Sequence, residues 1–266
     1  MYPILISLGS IRIYSFGLFL VLAIIIGSFV VWRVGKNLKF DEEKIIDLLL
    51  VEMIFGLIGA RIFHIFFHFQ DFGFNFFRWL LIYHFPGLTF IGGLLGGLIG
   101  MIYFSRKENW PFWQIADISV LGISLAEAIA SIGAFFSGSA YGITTNLPWA
   151  VPVIGLPELR HPVQIYQALI LLFIFLFLIK VDKWLSGRNF PHGLIFLIYV
   201  LCWGVTHYLL DILRGDSVYF YGYRLTQIIC LFLILFSVIL LYIRLGRSLK
   251  EDLLAILQKV RPTKYV

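Results

Sequence analysis

Seven apolar stretches, each long enough to cross a bilayer as a helix, recur along this chain and leave few folds open to it. They run roughly over residues 12–33, 46–67, 88–104, 115–136, 163–181, 192–213 and 224–245. In hydrocarbon every backbone N–H and C=O must find a partner within its own segment, so such stretches cross as helices. The third is short, and its glycines point to tight packing against a neighbour. With 60% apolar and 14% charged residues, the composition excludes an ordinary soluble domain. The expected fold is an all-α integral membrane bundle of about seven transmembrane helices, one transmembrane domain over residues 1–266.

The net charge of +6 invites a nucleic-acid reading, but the placement of the charges opposes it. With loops assigned alternately to the two membrane faces, fifteen basic residues fall on one side. They are Arg33, Lys36, Lys39 and Lys44, then Arg106 and Lys107, then Lys180, Lys183 and Arg188, and finally Arg244 with the tail residues Arg247, Lys250, Lys259, Arg261 and Lys264. The other side holds five: Arg12, Arg78, Arg160, Arg214 and Arg224. That bias sets the N-terminus outside and the C-terminus in the cytoplasm. The basic excess thus reports topology and contact with anionic lipid heads. No nucleic acid is implied.

The opening Met1-Tyr-Pro-Ile-Leu-Ile6 has no basic leader or small-residue cleavage site, so the first span is expected to remain as an anchor. Cys202 and Cys230 sit inside apolar stretches and indicate neither a disulfide nor a metal framework. His64 and His68 are four apart on one helical face, but no third ligand accompanies them. No metal and no cofactor is expected.

Polar groups inside hydrocarbon are costly, and a few here mark candidate sites. Arg61 lies in the second stretch, after Gly56-Leu-Ile-Gly-Ala60. It fits either a polar network or a side chain reaching the headgroups. Glu127 falls near the middle of the fourth stretch, where a carboxylate must be neutral or paired. His207 and Asp211 are one helical turn apart in the sixth, with Arg214 just beyond. His207 reads as a proton acceptor near neutral pH or as an interhelical hydrogen-bonder. Glu127, Arg61, His207 and Asp211 are candidates for one buried network. Asp41-Glu-Glu-Lys44 reads as a helix start, Asp117 as a cap or headgroup-level residue, and Tyr14 as a belt aromatic or a site residue. The aromatic loop Asp71–Leu88, with Trp79 and Tyr83, suits the membrane interface. The glycines from Gly92 to Gly97 suit close helix packing rather than a phosphate loop.

The stretch from Glu127 to Tyr166 organises the rest. It passes through Ser131-Ile-Gly-Ala-Phe-Phe-Ser-Gly-Ser-Ala-Tyr-Gly142 and ends on Arg160-His-Pro-Val-Gln-Ile-Tyr166. With Tyr14-Ser-Phe-Gly17, Gly59-Ala-Arg61, Thr89-Phe-Ile-Gly-Gly93 and Asp211-Ile-Leu-Arg214, these elements resemble, in order, the prolipoprotein diacylglyceryl transferase family. The resemblance implies a multi-pass protein of the bacterial inner (cytoplasmic) membrane. It implies transfer of diacylglycerol from phosphatidylglycerol, or a similar anionic lipid, to the lipobox cysteine thiol of a preprotein. On that likeness Arg61, Arg160 and Arg214 are headgroup contacts and Tyr14 and Tyr166 line the site. His161 and Gln164 orient it, and Gly92, Gly93 and Gly142 belong to it.

The chain also departs from the family pattern. A family His-Gly-Gly reads Ile91-Gly-Gly93 here. The signature Gly-Arg-x-Gly-Asn-Phe-x-Asn-x-Glu reads Ala130-Ser-Ile-Gly-Ala-Phe-Phe-Ser-Gly-Ser139, so its arginine is Ser131, its asparagines Ala134 and Ser137, and its glutamate Ser139. His207 occupies the place of a family arginine. Glu127 and His207 are therefore candidate catalytic substitutes in a rebuilt site. The losses equally fit a homologue that binds lipid or a membrane partner without catalysis.

Overall fold

A computed structural model describes residues 2–8, 11–81, 87–188 and 190–246. The elements in order are β1 (Ile4–Leu8), β2 (Ile11–Tyr14), α1 (Ser15–Asn37), α2 (Glu42–Phe67), α3 (Phe69–Phe72), α4 (Phe76–Leu80), α5 (Phe90–Lys107) and α6 (Phe112–Ser137). There follow β3 (Val151–Pro152), β4 (Leu159–Arg160), α7 (Val163–Leu185), α8 (Leu194–Ile212), β5 (Tyr219–Phe220), β6 (Tyr223–Arg224) and α9 (Leu225–Arg244). Each of the seven apolar stretches coincides with one long helix. Five of these, α1, α6, α7, α8 and α9, are long and apolar enough to cross a membrane by length and composition. The protein is helical with short antiparallel hairpins, β1–β2, β3–β4 and β5–β6, among the described residues. Tyr83 and the basic residues from Arg247 onward lie outside the described residues.

The sequence placed residues 12–14 in the first span, but they form β2, and the helix starts at Ser15. The reason is local: the Ser15 N–H donates to Pro3 O at 2.9 Å and the Ser15 hydroxyl donates to Tyr2 O, which turns the chain out of the hairpin.

Two compact units emerge, one of the residues up to Gly27 with those from Val120 onward, the other Ser28–Ser119. In the second, Asp41 caps α2, its carboxylate accepting from Glu43 N–H at 3.0 Å, with Glu42 and Glu43 at the positive end of the helix dipole. The expected helix start is there. Asp117 is no cap: it sits inside α6 and is buried. α2 packs along α5 so closely that a Cβ on Gly59 would meet the Gly92 carbonyl, and Gly96 Cα at 2.9 Å. Val31, Ile45 and Ile118 form a core lined by Phe40 and Trp110.

In the first unit, α8 lies between α7 and α9, with Gly204 letting Ile234 approach. The chain entering β1 is tied to the end of α6 by Tyr2 N–H donating to Phe136 O at 2.9 Å, and α1 is tied there by the Phe19–Phe136 ring stack at 5.5 Å. Gly138, at φ +68°, closes α6.

Candidate functional site

The segment after Gly138 crosses the end of α8 before entering α7. The Ile143 N–H donates to Leu213 O at 2.9 Å and the Gly215 N–H to Tyr141 O at 2.9 Å. On its other edge, the His161 N–H donates to Ile143 O at 3.1 Å and the Thr145 N–H to Leu159 O at 3.0 Å. Residues 141–145 are thus sewn to α8 on one side and to β4 on the other. Gly142 is required at the crossing, because a Cβ there would lie 2.5 Å from His161 O and 2.8 Å from Val163 Cγ2.

This ladder holds four of the sequence-identified residues. Arg160 Nη1 donates to Gly142 O at 3.1 Å, and the guanidinium lies over the Tyr141 ring at 5.1 Å. Its Nε is buried with no hydrogen-bond partner among the described residues. Gln164 is 4% exposed; its amide donates to Ala140 O, and its Oε1 is likewise buried without a partner. A carbonyl can only accept, so the amide orientation is fixed by chemistry. Tyr166 accepts from Trp149 Nε1 at 2.6 Å and lies 3.3 Å from His161 Nδ1. The Tyr166 phenol is thus shared between the Trp149 indole and the His161 imidazole. Tyr14 ends β2 and is 56% exposed.

Deeper along α7, a carboxylate gathers three helices. Glu127 of α6 accepts from Tyr199 O–H at 3.0 Å on Oε2 and from Trp203 Nε1 at 2.9 and 3.1 Å on its two oxygens. Gln167 of α7 donates to Oε1 at 3.3 Å, and His207 Nε2 lies 3.2 Å from the same oxygen. The expected meeting of Glu127 and His207 is therefore found. Asp211 does not join them. It is fully buried, accepts from Ser217 Oγ at 3.1 Å and pairs with Arg224 Nη1 at 3.5 Å, and Arg224 also donates to the Asp211 carbonyl. One turn along α8 is enough to give it a different neighbour.

Arg214 is gripped by Asp216 through two bonds, Nε to Oδ1 at 3.0 Å and Nη2 to Oδ2 at 2.9 Å, which raises its guanidinium above the ordinary value. The serines at the departed signature positions turn onto their own backbone: Ser131 Oγ donates to Glu127 O at 2.8 Å and Ser137 Oγ to Ala134 O at 3.0 Å. They occupy the arginine and asparagine positions without replacing their reach.

In the Ser28–Ser119 unit, Arg61 is buried and gives Nε to Trp79 O at 2.9 Å, Nη2 to Arg78 O at 2.9 Å and Nη1 to Gly87 O at 3.1 Å. It fastens the aromatic segment of α3 and α4 to α2. Gly92 and Gly93 belong to the α5 face packed on α2. His64 and His68 stack on each other at 4.3 Å, and His68 Nδ1 faces His64 O at 3.0 Å. Gln167, Tyr199 and Trp203 escaped the sequence reading, because aromatic and amide side chains in apolar helices read as packing.

A family model described as prolipoprotein diacylglyceryl transferase matches residues 3–243. The phosphatidylglycerol–prolipoprotein diacylglyceryl transferase of Finegoldia magna is 30% identical over 234 residues, covering 88% of this chain and 92% of its own. The like-named protein of Prochlorococcus marinus is 31% identical over 257 residues, with 85% and 86% covered. That of Clostridioides difficile is 28% identical over 229 residues, with 85% and 88% covered.

Proposed function

Because this chain belongs to the prolipoprotein diacylglyceryl transferase family, we propose that it transfers the diacylglyceryl group of phosphatidylglycerol to a lipobox cysteine of a preprotein. The observation that carries the proposal is the match over residues 3–243, which includes the whole Arg160–Tyr166 element. The reading of a silent, lipid-binding homologue has no comparable support. The protein is a multi-pass membrane protein, taken here to lie in the bacterial cytoplasmic membrane with seven spans, a single transmembrane domain and its N-terminus outside. The fifteen-to-five basic asymmetry supports that orientation and puts the Arg160 segment on the outer face. Nucleic acid has no part in it.

The reaction is a displacement at carbon. The cysteine sulfur, as thiolate, attacks the diacylglyceryl carbon bonded to the phosphate oxygen. The C–S bond forms, the C–O bond breaks, and glycerol phosphate leaves with the electron pair. The thiol proton passes to His207, with Glu127 balancing the imidazolium, and then to the departing phosphate. Arg160 faces the phosphate, since its Nε, unpartnered among the described residues, leaves donor capacity that Arg214, held by Asp216, largely lacks. His161 and Gln164 orient the headgroup, and Tyr14, Gly142 and Tyr166 line the site. Within the Ser28–Ser119 unit, Arg61 fastens the segment of α3 and α4, and Gly92 and Gly93 let α5 pack on α2.

The test uses purified protein in phosphatidylglycerol-containing micelles with a lipobox peptide, following glycerol phosphate release and peptide mass. Release with a diacylglyceryl mass gain, both lost in Arg160→Ala, is expected. Inactivity beside a working relative that has the full signature would overturn the proposal.

A further inference from the structure

The imidazole of His207 is fixed by one residue on each of its sides. Its Nδ1 lies 3.0 Å from the Trp203 carbonyl, which can only accept, so Nδ1 carries a hydrogen. The Trp203 ring stacks on the imidazole at 3.9 Å while its indole N–H holds both oxygens of Glu127. Nε2 is then the only nitrogen able to gain or lose a proton, and it is 3.2 Å from Glu127 Oε1.

A bare Nε2 facing a carboxylate would set two lone pairs against each other. Gln167 resolves the conflict. Its amide nitrogen is 3.3 Å from Glu127 Oε1 and 3.3 Å from His207 Nε2, and it has two hydrogens to give. When Nε2 is bare, one hydrogen serves the carboxylate and the other the imidazole. When Nε2 is protonated, the imidazolium bonds Glu127 directly and the amide keeps its bond to the carboxylate. Both states leave the imidazole satisfied.

We propose that Gln167, together with Trp203, is a positioning residue that keeps His207 in the Nδ1–H form with Nε2 bare and ready to accept a proton. That the proton comes from the acceptor thiol rests on the transferase reading above. The step balances: the S–H bond gives its proton to Nε2, the sulfur keeps the electron pair for attack on carbon, and the imidazolium later returns the proton to the released phosphate.

Among the described residues no further charged group faces the pair. From α6 the facing group is Glu127, from α7 the neutral Gln167, and on α8 Tyr199, whose hydroxyl is committed to Glu127 Oε2. Arg224, from β6, is paired with Asp211 instead.

The experiment is a pH titration of ¹⁵N-histidine-labelled protein in phosphatidylglycerol micelles, with the His207 signal assigned from a His207→Gln spectrum. Above its titration His207 is expected as the Nδ1–H tautomer. Gln167→Met removes the donor to bare Nε2, so the His207 midpoint rises by roughly half to one pH unit, the worth of one hydrogen bond. The acidic limb of the pH–rate profile for glycerol phosphate release moves with it. Gln167→Ala, which also removes the donor and adds no charge, moves both the same way and covers a failure of the methionine variant to fold. An Nε2–H tautomer would overturn the proposal. So would rates lowered equally at every pH in both variants with the limb unmoved, the mark of helix packing alone. The tautomer and its shift without any turnover in wild type would uphold the placement of the proton and remove the transferase reading instead.

Discussion

Arg61 Nε donates to the backbone carbonyl of Trp79 across 2.9 Å, binding a residue of α2 to the end of α4. Two more carbonyls, those of Arg78 and Gly87, take up its Nη atoms. In Arg61→Ala all three carbonyls lose a charged donor. Hydrogen exchange at the amides of Phe76–Leu81 should accelerate by about tenfold or more, since one charge-assisted bond contributes about 1.5–3 kcal/mol. Arg61→Lys should recover only part of this, because an ammonium lacks the planar fork.

Arg160 offers the contrasting case of an arginine with one donor unpartnered among the described residues. Arg160→Ala should lower kcat/KM for phosphatidylglycerol by about 10²–10³, the scale of one lost donor at a developing anion. Arg160→Lys should stay well below wild type. The Nη1 bond to Gly142 O, the contact over the Tyr141 ring and the buried Nε use different parts of one planar fork, which a single ammonium cannot match together. Steady-state assay across lipid concentration measures both.

Glu127→Gln and His207→Ala should each slow transfer by about 10²–10⁴, the range of one positioned acid–base group. Because the two act as a unit, the double variant should be little worse than the poorer single. Unchanged lipid processing by the double variant would remove both residues from the chemistry.

The ion pair of Asp211 and Arg224 should matter to stability rather than turnover. Asp211 is fully buried, so Arg224→Ala strands a carboxylate and should cost about 3–5 kcal/mol. Replacing both partners, by Asn and Gln, should cost less than the two single changes added together. Denaturation in micelles at fixed detergent gives the comparison.

The long helices were legible because an apolar run of bilayer length permits little else. Glu127 and His207 were legible for the complementary reason, a polar group where none is expected. The hairpins were not, since pairs of two residues such as Val151–Pro152 with Leu159–Arg160 leave no alternating pattern to read. Nor was the fate of Arg61, whose partners are carbonyls 17 to 26 residues away and have no sequence identity at all. Asp211 shows the limit in the other direction. Shared helical face with His207 predicted a shared network, but Arg224 after the β5–β6 turn claimed it.

The cage around Glu127 has a consequence for how such a chain can evolve. Its carboxylate depends on Gln167, Tyr199, Trp203 and His207, drawn from two other helices. A change to an apolar residue at any of these positions removes one partner from the carboxylate, and loss of Glu127 leaves all four without their acceptor. They should therefore be inherited together: lineages carrying histidine at position 207 should retain the acid at 127 and the amide at 167, and lineages that lose one should have lost the set.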